Sequence, residues 1–80
     1  MDNKKKYKQA FIDGLLIDEC VLEGNLEYNA IAEWDSIGHM SLIGELEDKF
    51  DIIMEMDDII EMSSFEKGSE ILEKNYNIKF

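Results

Sequence analysis

The 80 residues carry nineteen acids against eight lysines and no arginine, a net charge of −11; that length fits one domain spanning 1–80, and that charge argues against nucleic-acid phosphates as a partner. The single cysteine rules out an internal disulfide and points to a reducing, cytoplasmic setting. No apolar run approaches the ~20 residues that span a bilayer, and the basic start "MDNKKKYKQAF" has no apolar stretch behind it, so neither a secretory signal nor a membrane partner is expected.

Tyr7, Ala10, Phe11, Gly14 and Leu15 recur at helical spacing and predict a first helix over roughly 3–17. Its lysine-rich beginning reads as a frayed, solvated end. "DECVLEGNLEYNAIAEW" follows with no clean period and a turn signal at Gly24-Asn25. Val21, Leu22, Leu26, Tyr28 and Ile31 would pin it to the core, so it reads as an ordered loop, with Cys20 a semi-buried small apolar residue and Trp34 a loop anchor. Asp35 and Ser36 are both good helix starters. Behind them Ile37, Met40, Ile43, Leu46 and Phe50 form an apolar stripe that Leu42 widens, giving an amphipathic helix over 36–50. Ile43, Leu46 and Phe50 are assigned to the core. "DII" interrupts the pattern. Asp57 or Asp58 would cap a short helical turn through Ile59, Ile60 and Met62. Ser63 stands three residues before Glu66, a capping-box spacing for a last helix near 64–75. The expected fold is all-α: a small four-helix bundle of three main helices and one short one, with a long ordered loop between the first two.

The chemical inventory is thin. His39 is the only histidine, and a triad with Ser36 or Ser41 would sit on an open helix end with no pocket behind it. There is no glycine-rich phosphate loop and no calcium loop. "EMDD" is an acid cluster without the makings of a dedicated metal site. No catalytic residue and no metal ligand is therefore assigned. From residue 9 onward four lysines face eighteen acids, a net charge of −14, which favours partners with basic surfaces. The plainer reading of that acidity is solubility. A serine at the first turn of a helix is also a tolerable place for a phosphodiester, whose charge the helix N-terminus would stabilise by ~0.3–1 kcal/mol.

The stretch "WDSIGHMSLIGELEDKFDI" resembles the signature of acyl carrier proteins: Asp-Ser-aliphatic opening a helix, an apolar stripe, an acidic end and a closing Phe-Asp-Ile. The order of elements around it, down to a last helix opened by "MSSF", is similar over nearly the whole chain. The resemblance implies a carrier, not an enzyme. Ser36, flanked by Asp35 and Ile37, would bear a 4′-phosphopantetheine arm donated by coenzyme A through a phosphopantetheinyl transferase. The arm's thiol would hold acyl or related cargo as a thioester, as in fatty-acid or polyketide biosynthesis. The helix after Ser36 would dock partner enzymes that load and transfer acyl groups through basic patches, with Ile37 and Met40 as apolar contacts and Glu45, Glu47 and Asp48 as charges. A monomer is expected. Gly38 stands where many fatty-acid carriers have an acid, His39 where a hydroxyl or apolar residue is common, and Gly44 replaces a larger side chain. These departures resemble stand-alone carriers of specialised pathways, such as polyketide, peptidyl, surface-polysaccharide or D-alanyl transfer. The alternative is an acidic helical protein-binding module with no prosthetic group.

Overall fold

A computed structural model describes residues 2–80. Helix α1 covers Asn3–Leu15, α2 Ser36–Phe50, α3 Met56–Glu61 and α4 Phe65–Tyr76, with a single 3-10 turn at Glu19–Leu22 inside the long connection. The architecture is an all-α bundle of three main helices and one short one.

Helix α1 is capped, not frayed. Asp2 accepts a hydrogen bond from the Lys4 amide, and Asn3 Nδ2 donates to the Lys79 carbonyl at 2.8 Å. The helix ends two residues earlier than its apolar spacing predicts, because Leu16 turns left-handed at φ 57°. Ile17 then folds back into the core, which imitates a continuing helical period. Gly14 explains how closely α1 and α2 approach: a Cβ there would lie 2.7 Å from Leu42 Cα. The buried face of α1 meets Trp34, Leu42, Ile43, Leu46 and Leu72 in one core. At its centre Tyr7, Phe11 and Phe65 pack with ring centroids 4.9–5.0 Å apart, and Trp34 adds an edge-to-face contact with Phe11 at 5.3 Å.

The long connection is ordered, as expected. Leu22, Leu26 and Trp34 are buried and Val21 and Ile31 half-buried; Tyr28 is a correction, exposed and lying over Trp34 and His39 outside the core, because its ring packs edge-on against theirs. Cys20 is a correction: it is exposed, because the 3-10 turn sends Leu22 inward in its place. Tyr28 N donates to the Ser63 carbonyl at 2.8 Å and Phe65 N to the Leu26 carbonyl at 2.7 Å. This clasp fastens the middle of the connection to the link between α3 and α4.

Three further details differ from the sequence reading. Ser64, not Ser63, caps α4, accepting from Lys67 N at 3.0 Å; Glu66 N donates instead to Asn25 Oδ1. Neither Asp57 nor Asp58 caps α3. Asp58 is buried within it and accepts from Asn75 Nδ2 at 2.8 Å and the Tyr76 hydroxyl at 2.7 Å, tying α3 to α4. Phe50 is half-buried at the edge of the core, beneath the Lys6 ammonium at 5.7 Å from its ring centre.

Candidate functional site

The first turn of α2 resolves which of two adjacent helix starters does the capping. Asp35 is the N-cap: its Oδ1 accepts from Gly38 N at 2.8 Å, and its carbonyl accepts from His39 N at 2.8 Å. Ser36 is therefore the first helical residue, and its exposed hydroxyl is released from capping. The glycine two residues on is a steric requirement: a Cβ at Gly38 would collide with the Glu33 carbonyl oxygen. Gly44 meets nothing on its open side.

Ser36 stands at the edge of an open, apolar groove of about 430 Å³ between the start of α2 and α3. Met40 and Tyr28 line it with Met56, Ile59, Ile60 and Met62. Met56 and Ile60 are 69% and 71% exposed, and on the α2 side Ile37 is 80% and Met40 58% exposed. Solvent-facing apolar side chains gathered at one place mark an interaction surface more strongly than scattered ones do.

His39 lies beneath the groove and is 9% exposed. Trp34 Nε1–H donates to His39 Nδ1 at 2.9 Å. An indole nitrogen only donates, so Nδ1 accepts and the imidazole proton sits on Nε2, which donates to the Ile59 carbonyl at 2.8 Å. Both ring nitrogens are thereby engaged. Contrary to the sequence reading, Ser36 and His39 do border a pocket, but His39 has no free nitrogen with which to serve as a base for Ser36. Among the described residues every buried side-chain nitrogen or oxygen has a partner, and no group of three or more His, Cys, Asp or Glu converges as a metal site would require.

The acids assigned to docking separate in the structure. Asp48 is exposed. Glu45 lies 3.5 Å from Lys49, whose ammonium also bonds Asp13 at 3.0 Å. Glu47 is half-buried and its Oε2 accepts from Met54 N at 2.9 Å, so it holds the loop after α2 in place. At the far side of α3, burial raises the Tyr76 phenol above its ordinary range, and the hydrogen bond to Asp58 acts in the same direction.

The contributions of Tyr28, Met56 and Ile60 were not assigned from sequence. The usable signal was the i, i+4 spacing of Met56 and Ile60, which puts two apolar side chains on one face of a short helix. Tyr28 reaches the groove through the clasp and gives no local signal. No protein-family model, curated protein or solved structure matches the chain. No helix among the described residues is long and apolar enough to cross a membrane.

Proposed function

We propose that this chain is a carrier protein that bears a 4′-phosphopantetheine arm on Ser36 and presents thioester-bound cargo to partner enzymes. The observation that carries the proposal is an exposed hydroxyl at the first position of a 15-residue helix, freed by the Asp35 cap and opening onto an apolar groove. The first turn fits a phosphodiester: orphan amides and the positive end of the helix dipole favour its charge. When bound, the arm supplies a thiol for thioester exchange. The chain's own residues tether and present. Asp35 holds the first turn, Ile37 and Met40 offer apolar contact, and Asp48 with Glu45 offers charge to basic patches. Catalysis belongs to the partners, consistent with a His39 whose ring nitrogens are already occupied.

The test is incubation with coenzyme A and a broad-specificity phosphopantetheinyl transferase, followed by mass measurement of the intact protein. One arm is expected on the wild type and none on Ser36→Ala. An unmodified wild type that remains folded would favour the prosthetic-group-free binding module. Modification of the alanine variant would move the site elsewhere.

A further inference from the structure

The groove beside Ser36 has a floor, and the floor is locked. His39 and Met62 line it and are buried, and the fully buried Trp34 bonds His39, so the interior at this point is already occupied by side chains. The seam between α2 and α3 is crossed by a serial polar contact: indole N–H to imidazole, imidazole N–H to the Ile59 carbonyl. Tyr28 covers the pair, its ring 5.4 Å from that of His39. A chain entering the bundle here would have to part these hydrogen bonds. It would leave two donors and two acceptors unpaired in a largely buried place, each at a desolvation penalty.

We infer that His39 is a specificity-determining latch: by joining Trp34 to the backbone of α3 it closes the bundle interior to cargo tethered at position 36. Cargo then lies along Met40, Met56 and Ile60, where the apolar groove of about 430 Å³ accommodates a short acyl group. An alkyl chain longer than the groove projects into water, so long acyl chains gain no protection from this carrier. His39 acts through Trp34 and Ile59 and is a positioning residue, not a catalytic one. The inference deepens the carrier proposal and rests on it.

The test bypasses the transferase, so failure of the latch and failure of carrier loading are separate results. In the full chain carrying Ser36→Cys and Cys20→Ser, alkyl methanethiosulfonates of one to eight carbons are attached at position 36. Two signals are followed, the melting temperature and the nuclear magnetic resonance of the Trp34 indole N–H, the only tryptophan in the chain. With His39 present, the indole resonance is expected to stay in place at every length, and the melting temperature to level off once the groove is filled. With His39→Ala added, the resonance should move progressively with length, and the melting temperature should rise by about 3 °C or more for each methylene withdrawn from water. Loss of the histidine's fold support alone would lower the melting temperature equally at all lengths. A progressive indole shift in the protein that retains His39 overturns the inference, and that arm decides alone if the alanine variant does not fold. Identical length dependence in the two proteins overturns it as well.

Discussion

Tyr7 places its hydroxyl inside the bundle, 1% exposed, where it donates to the Phe65 carbonyl at 2.6 Å. Burial pushes this phenol far above its ordinary range. The folded state therefore holds the proton while the unfolded chain releases it near pH 10. Stability from this group is fully present below about pH 10 and is lost as pH rises beyond it. Thermal melts between pH 8 and 11.5 should show a wild type that is flat at first and then declines. Tyr7→Phe should start lower by about 1 kcal/mol, the net worth of one hydrogen bond, and decline less steeply. Tyr76, raised in the same direction, supplies part of the remaining slope. Parallel declines in the two proteins would show that Tyr7 is not the titrating group. At this scale sequence reading worked where a residue's role is local. Trp34 before the second helix reads as an anchor and is one. His39 does not read as a tie, because its partner carbonyl lies 20 residues further on and meets it only in the folded chain. Cys20, exposed, escapes sequence reading for a related reason: a 3-10 turn has no long apolar period from which to tell its inward residue.

The main helices were legible because each buries one stripe at a 3.6-residue period, and α2 falls at the predicted bounds of 36 and 50. Caps were less legible. Asp35-Ser36 and Ser63-Ser64 each offer adjacent oxygen-bearing side chains, and only backbone geometry selects between them. The glycines of α2 both depart from the pattern that the resemblance sets, and the structure gives them unlike meanings. Gly38 fits beneath a carbonyl and Gly44 faces open space. Gly44→Ala should raise stability by about 1 kcal/mol through helix propensity. Gly38→Ala should lower it by ~1–3 kcal/mol through overpacking, and an acid placed there would meet the same obstruction. Urea unfolding of the two variants checks both signs. A Gly38→Ala protein as stable as the wild type would mean that the 33–38 turn adapts and that its shape does not require glycine.

Across the whole molecule, charge and size act together. The protein measures 29 × 27 × 20 Å, and at 0.01 M salt the screening length is about 30 Å, so every carboxylate feels the rest. At 0.1 M it falls to about 10 Å, and repulsion reaches only neighbours. The protein, with four lysines against eighteen acids over residues 9–80, should therefore melt several degrees higher at the greater ionic strength, measured by circular dichroism at neutral pH. A melting temperature indifferent to salt would show that contacts such as Lys49 with Asp13 already compensate the field. The clasp that joins Leu26 and Tyr28 to Ser63 and Phe65 also has a consequence for how the molecule opens. It closes a loop holding all of α2 and α3, and the entropy of closing so long a loop is largely spent in that one event. Tyr28 and Ser63, both of which line the groove, are held together by the same contact. The amides of Tyr28 and Phe65 are therefore expected to exchange with solvent only when that long loop opens, which native-state hydrogen exchange would read.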